Sequence, residues 1–116
     1  MAKYRLERVS NLIAQQVGLM ISLGEIKDPR VSTLVSVSRV TLSRDLGYAK
    51  LYISSFEDHG KLKETVDALN HAAGFIQGNI GKRIRMRNTP RMTFIEDHGI
   101  EDGFYLNQKI KETLSQ

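Results

Sequence analysis

Apolar residues near the amino end of the chain recur every three or four positions, which is the spacing of a helix with one buried face. The segment "KDPR" follows Gly24, and its proline cannot continue a helical hydrogen-bond ladder. We therefore expect the helix to end before this segment and an extended strand to follow. The first helix is predicted over residues 4 to about 23, with the repeating apolar set Leu6, Val9, Ile13, Val17 and Met20.

Two segments rich in β-branched residues come next and predict a β-hairpin. The first covers residues 31–43 and the second residues 48–56, with a turn at residues 44–47. The second segment alternates, with Ala49, Leu51 and Ile53 on one face. Arg39 interrupts the alternation of the first segment, which predicts a bulge or an exposed strand end there.

The helical period returns after the hairpin. Apolar residues from Leu62 to Leu69 predict a second helix that ends near residue 72. A third helix is predicted from residue 74 to about residue 86, with an apolar stripe at Ile76, Ile80 and Ile84.

The end of the third helix and the remaining segments complete the predicted order. Pro90 breaks the helix, and "RMTFIED", residues 91–97, predicts a third strand. From about residue 100 the spacing of Leu106, Ile110 and Leu114 predicts a short C-terminal helical tail. The order α-β-β-α-α-β indicates an α+β fold in a single domain, residues 1–116, with a three-stranded sheet covered by helices. The long crossover before the third strand favours a mixed sheet.

Three glycines fall in or beside the third helix, where each costs about 1 kcal/mol relative to alanine. Gly78 and Gly81 form a GxxG, the pattern of the loop with which KH domains clamp nucleic acid. The apolar stripe runs through residues 78–81, so we expect this GxxG to be helical and the helix break to fall at residues 72–74. Gly74 would then allow a sharp kink, and small Gly78 and Gly81 would allow close approach of neighbouring elements. The alternative is that they are tolerated surface positions.

Composition narrows the class of partner. The net charge of +4 favours an anionic partner such as nucleic acid. The chain has no cysteine, which excludes disulfides and thiolate ligands and fits a reducing compartment. No apolar run approaches the roughly 20 residues of a spanning helix, and the first residues lack the apolar core of a signal peptide. We therefore expect a cytoplasmic protein that does not enter a membrane.

Residue types used in catalysis or metal binding are spread along the chain. His59, His71 and His98 lack the spacing of a zinc site, and the acidic pairs at turns and strand ends fit capping and solvation. "GNIGKR" departs from a phosphate loop, because two residues separate its glycines and Arg83 stands where serine or threonine is needed. We predict that the protein is not an enzyme and uses no metal, cofactor or small-molecule substrate.

Cations cluster at the end of the third helix, where phosphate contacts are expected. At about 100° per residue, Lys82 and Arg85 lie roughly 140° to 160° from the centre of the apolar stripe and should point to solvent. Arg83 and Arg87 lie within about 60° of the stripe, so their stems should pack along the core edge with their charged ends in solvent. The alternative is a merely solvated cationic end favoured by the helix dipole. Further candidates are Arg91, just past Pro90, and Arg8 and Lys3 on the first helix.

Five segments, in order, carry a resemblance to a known family. They are "ERVSNLIAQQV", "IKDPRV", "VSRVTLSRDLGYAKLYIS", "AAGFIQGNIGKRIRMRNTPRMTF" and "EDHGIEDG". With them the chain resembles, over essentially its whole length, the bacterial ribosome-binding factor A family. The resemblance implies a type II KH-like domain, αββααβ, in which an interrupted Ala-x-Gly helix kink replaces the GXXG loop. In this sequence that kink corresponds to Ala72, Ala73 and Gly74.

The resemblance also implies a function. It implies a non-catalytic assembly factor, expected to be a monomer, that binds the free 30S small ribosomal subunit. Such a factor assists late 16S rRNA maturation, including 5′-end processing, and matters most in the cold. One alternative is a generic KH-type single-stranded RNA-binding protein, whose candidate stacking residues are Tyr48, Tyr52, Phe56 and Phe104. A second alternative is an RNA-cleaving enzyme, which would need His or carboxylate clusters that the sequence spaces apart.

Overall fold

The computed structural model describes residues 2–55 and 59–98, and these contain the predicted order of helices and strands. The elements are α1 (Ala2–Ser22), β1 (Val35–Leu42), β2 (Tyr48–Ser55), α2 (His59–His71), α3 (Ala73–Ile84) and β3 (Arg91–Glu96). The predicted C-terminal helical tail lies outside the described residues. In the described part of the chain, no helix is both long and apolar enough to cross a membrane.

The three strands form a mixed sheet in the order β1-β2-β3, as the long crossover predicted. β2 is central, pairing antiparallel with β1 and parallel with β3. Asp45 shapes the hairpin turn, since its carboxylate accepts hydrogen bonds from the backbone N–H of Gly47 at 2.9 Å and the hydroxyl of Ser43 at 2.7 Å. These two hydrogen bonds lower the pKa of Asp45, and the bond from the Gly47 N–H has the larger effect.

Of the two alternatives predicted at Arg39, a bulge or an exposed strand end, the structure shows a bulge. The register of β1 against β2 shifts between Val37 and Arg39, so Ser38 is the extra residue. The Ser38 hydroxyl donates to the backbone carbonyl of Tyr52 at 3.1 Å. Because of the shift, Arg39 lies opposite Tyr52 on one face of the sheet.

The first strand begins later than predicted, at Val35 and not at residue 31. The segment before it is held by Thr65 of α2, which is fully buried. The Thr65 hydroxyl donates to the carbonyl of Arg30 at 3.0 Å and accepts from the N–H of Ser32 at 3.2 Å. These groups therefore bond to a helix side chain and not to a strand, a tertiary contact that β propensity does not report.

Asp28 and Arg30 of "KDPR" shape the chain between α1 and this contact. The Asp28 carboxylate accepts bonds from the Arg30 side chain at 2.9 Å and 3.1 Å and from the Arg30 N–H at 2.9 Å. The hydrogen bonds from the Arg30 side chain have the largest effect and that from the Arg30 N–H the next largest, and they lower the pKa of Asp28 to about 2. At neutral pH the Asp28 carboxylate is therefore charged and accepts these three hydrogen bonds.

The core lies between the helices and one face of the sheet. Each buried Leu, Ile or Val contributes about 1.5 to 3 kcal/mol by leaving water. Asn70 of α2 hydrogen-bonds the backbone of the edge strand β3. Its side-chain NH₂ donates to the carbonyl of Phe94 at 2.9 Å, and its side-chain oxygen accepts from the N–H of Phe94 at 2.8 Å. The fully or nearly fully buried residues include Ile13, Val17, Met20, Leu51, Ile53, Leu69, Ile76, Ile80 and Phe94.

The break between α2 and α3 is a single residue, Ala72, with φ −93° and ψ 9°. Ala73 and Gly74 already belong to α3, and the backbone φ of Gly74 is not positive. A Cβ at Gly74 would meet no atom within 4 Å. The expectation that Gly74 makes the kink possible is therefore wrong, because neither its backbone angle nor its surroundings exclude a side chain.

The other two glycines of α3 differ from each other. Residues 78–81 are helical, as the apolar stripe predicted. A Cβ at Gly81 would overlap the hydroxyl oxygen of Thr89, whereas one at Gly78 would meet nothing within 4 Å. The close approach of Thr89 therefore explains why a glycine stands at position 81. The prediction that Gly78 also allows a close approach is wrong.

This difference gives a matched pair of substitutions. Gly78→Ala should raise the free energy of unfolding by about 0.4 to 1 kcal/mol, because alanine restricts the unfolded chain and favours the helix. Gly81→Ala should lower it by about 1 to 3 kcal/mol, because the new Cβ overlaps the Thr89 hydroxyl and that side chain must shift. Urea denaturation of both variants measures this, and equal midpoints would contradict the role assigned to Thr89.

Candidate nucleic-acid interface

The predicted phosphate-binding cations lie at the carboxyl end of α3 and in the loop that follows. The helix ends at Ile84, two residues earlier than predicted, and Arg85 adopts a left-handed conformation with φ 58° and ψ 45°. The Arg85 N–H donates to the carbonyl of Gly81 at 3.1 Å, which closes the last turn. Helical-wheel angles therefore do not apply to Arg85 or Arg87, although both are exposed.

The loop between α3 and β3 is tied to the body of the protein. The Gln77 side chain donates to the carbonyl of Thr89 at 3.0 Å, and Pro90 is fully buried. Arg85 and Arg87 are exposed, and they lie in a loop whose end next to β3 is anchored by these contacts of Thr89 and Pro90. Lys82 is exposed on the last turn of α3, where unpaired carbonyls favour a cation.

Arg83 does not place its charge in open solvent as predicted. Its guanidinium forms an ion pair with Glu25, which follows α1, and its side chain is 28% exposed. A partly exposed pair of this kind contributes at most about 1 kcal/mol. The structure therefore makes Arg83 a link between α3 and the exit of α1, already engaged by a carboxylate.

The remaining candidates are not all in one place. Arg91 is exposed at the start of β3, and its N–H donates to the carbonyl of Gly47 at 2.9 Å. Arg8 is exposed on α1 about four turns, roughly 20 Å, before that helix ends at Ser22. Lys3 lies within α1, and its side chain is outside the described part of the structure.

The sheet carries a second set of charged and aromatic side chains that the sequence-based site prediction did not include as one group. Lys50 is exposed between Tyr48 and Tyr52 on β2, opposite to the core side. The Arg39 guanidinium carbon lies 4.1 Å from the centre of the Tyr52 ring. The alternation of β2 is enough to predict the exposure of Lys50, but the position of Arg39 depends on the bulge.

The two histidines whose side chains the structure describes, His71 and His98, lie in different segments of the chain. His71 ends α2, and His98 contacts the Glu96 carboxylate at 3.2 Å. Within residues 2–55 and 59–98, no three His, Cys, Asp or Glu side chains are grouped so as to hold a metal ion.

Comparison with known proteins supports the resemblance found in the sequence. The sequence model of the family described as ribosome-binding factor A matches residues 5–110. The ribosome-binding factor A of Treponema denticola is 42% identical over 111 residues, which are 96% of this chain and 84% of the relative.

Two solved structures extend the comparison to the fold. A candidate ribosome-binding factor A from Thermotoga maritima, determined by solution NMR, is 39% identical, with a TM-score of 0.69 and coverage of 84% of this chain and 92% of that one. A homology model of Thermus thermophilus ribosome-binding factor A, fitted into an electron cryomicroscopy map of a 30S complex, is 28% identical. Its TM-score is 0.53, with coverage of 72% of this chain and 90% of that one.

The fold and the sequence lead to the same assignment. The three-stranded mixed sheet with its helices is the KH-like α+β arrangement that the resemblance implied. The family match covers all the described elements except the first residues of α1. This chain belongs to the ribosome-binding factor A family.

Proposed function

We propose that this protein is a non-catalytic assembly factor that binds the 30S small ribosomal subunit by contacting 16S rRNA. The observation that carries the proposal is its similarity, at 28% identity, to the Thermus thermophilus protein fitted into the map of a 30S complex. The net charge of +4 is of the sign that an RNA partner requires.

The contact surface in this proposal is centred on Lys82, Arg85 and Arg87. All three are exposed, at the end of α3 and in the loop after it. Long cationic side chains here would pair with phosphates of folded rRNA, which requires charge and reach but no base recognition. Arg91 would extend the surface at the start of β3, and Arg8 and Lys3 belong to a separate, weaker contact on α1.

The finer part of the proposal concerns timing and effect. We infer binding to the free subunit late in its maturation, assistance to 5′-end processing of 16S rRNA, and greatest importance in the cold. The protein would act by binding, as its membership of the ribosome-binding factor A family suggests. It would work in the cytoplasm.

A bacterial strain that lacks its own ribosome-binding factor A provides the test. Expressing this chain in that strain at low temperature should place the protein with free 30S subunits on a sucrose gradient, and not with translating ribosomes. It should also reduce the fraction of 16S rRNA with unprocessed 5′ ends, measured by primer extension. An empty vector is the control, and sedimentation of the protein at the top of the gradient would contradict the proposal.

A further inference from the structure

The face of the sheet that points away from the helices carries aromatic and cationic side chains in register. On β2, Tyr48, Lys50 and Tyr52 alternate with the core residues Ala49 and Leu51. Since directly paired residues share a face, the neighbouring strands add five more side chains to it. Arg91 pairs with Tyr48, Thr93 and Thr41 pair with Lys50, and Arg39 and Ile95 pair with Tyr52.

The charges on this face have one sign. Along the described strands, its charged side chains are Arg39, Lys50 and Arg91. Asp97 lies beyond the end of β3, where it accepts a hydrogen bond from Ser38. Asp45, in the hairpin turn, is bonded to Ser43 and Gly47. The face is therefore complementary to a polyanion.

The aromatic rings on this face favour a nucleic acid with unpaired bases over a duplex. Tyr48 is 61% exposed although it lies on the central strand, where a ring of this size has neighbours on both sides. Tyr52 has the Arg39 guanidinium over its ring at 4.1 Å, and the outer side of a guanidinium is itself a flat cationic surface for a base. Paired bases in a duplex have no free faces to stack on such groups, whereas unpaired bases do.

We propose that this open face of the sheet binds unpaired nucleotides of RNA, with a base stacked on Tyr48 and phosphates contacting Lys50 and Arg91. The surface is distinct from Lys82, Arg85 and Arg87 and does not depend on the 30S proposal. It meets that surface at Arg91, which begins β3 directly after the loop that carries Arg85 and Arg87. Ile95 adds a half-buried apolar side chain beside Tyr52, but Lys50 and the threonines paired with it separate the two rings, so an apolar protein partner fits less well.

Fluorescence anisotropy with the full chain and an unstructured single-stranded RNA of about twelve adenosines and cytidines tests the proposal. Tyr48→Thr removes the ring but keeps a β-branched residue in the strand, and should weaken binding roughly 5- to 150-fold, the effect of losing one stacked base. Tyr48→Phe keeps the ring and should bind like the wild type. Against a duplex RNA of the same length, Tyr48→Thr should bind like the wild type.

Ultraviolet cross-linking of the wild-type protein to the same RNA is a second measurement that needs no variant. Cross-links at Tyr48 support the proposal. Cross-links confined to residues 85–90, or unchanged affinity of a folded Tyr48→Thr variant, overturn it. If single-stranded RNA binding depends on Tyr48 while the wild type fails to sediment with 30S subunits, the proposed function is wrong and this inference stands.

Discussion

Replacing both Lys82 and Arg85 by glutamine should weaken binding to 30S subunits about 15- to 30-fold at roughly 0.15 M salt. That is the counterion-release contribution of two lost phosphate contacts. The slope of log affinity against log salt should flatten by about 0.7 to 0.9 for each contact. Stability should change little, because both side chains are exposed. Filter binding or co-sedimentation over a range of salt concentrations measures both effects.

Arg83 supplies the matched control for this prediction. Arg83→Gln removes the same charge from the same helix end, but its guanidinium is paired with Glu25. The single variant Arg85→Gln should therefore lose about 4- to 5-fold in affinity, and Arg83→Gln less. Equal losses would show that the general positive field, and not contact at Arg85, controls binding. A normally folded double variant with wild-type affinity would mean that another face contacts the subunit.

Replacing Thr65 by valine should lower the free energy of unfolding by about 2 to 3 kcal/mol, although the two side chains have nearly the same shape. Thr65 is fully buried, and its hydroxyl bonds both the carbonyl of Arg30 and the N–H of Ser32. Valine removes the hydroxyl from these two part-buried hydrogen bonds, and each loss should cost about 1 to 1.5 kcal/mol, the low end of the cost of an unsatisfied buried group. The melting temperature should fall by roughly 10 °C.

Thr65→Ser is the control, because serine keeps the hydroxyl and loses only a methyl group. It should cost about 1 kcal/mol, less than valine does. Hydrogen exchange at the Ser32 amide should accelerate in Thr65→Val and stay slow in Thr65→Ser. If serine proved as destabilising as valine, the methyl packing, and not the hydroxyl, would account for the role of Thr65.

The order of elements and the path of the core were predictable from the sequence because they depend on periodicity. Ile76 and Ile80 belong to one apolar stripe, and both are fully buried. The same stripe correctly predicted that residues 78–81 are helical. Alternation along the second strand predicted the buried Leu51 and Ile53, because side chains of a strand point alternately to its two faces.

Features that depend on contacts between distant residues were not predictable in this way. Gly78 and Gly81 have the same local pattern, but only Gly81 faces Thr89, which a different segment brings against the helix. Arg83 was expected in solvent, but the carboxylate of Glu25, far from it in sequence, pairs with it. Arg85 is exposed as predicted, but helical-wheel angles do not explain its exposure, because the backbone leaves the helix there.

The fold class, the family and the sign of the charge could be read from the sequence, since periodicity, motif order and composition are local or additive properties. Which cations share a surface depends on how the strands pair in the folded protein. Strand pairing brings Arg39 beside Tyr52 and Arg91 beside Tyr48, although each pair is separated along the chain. The physical reason is register, because a one-residue bulge at Ser38 sets the face on which Arg39 lies, and no property of Arg39 alone encodes it.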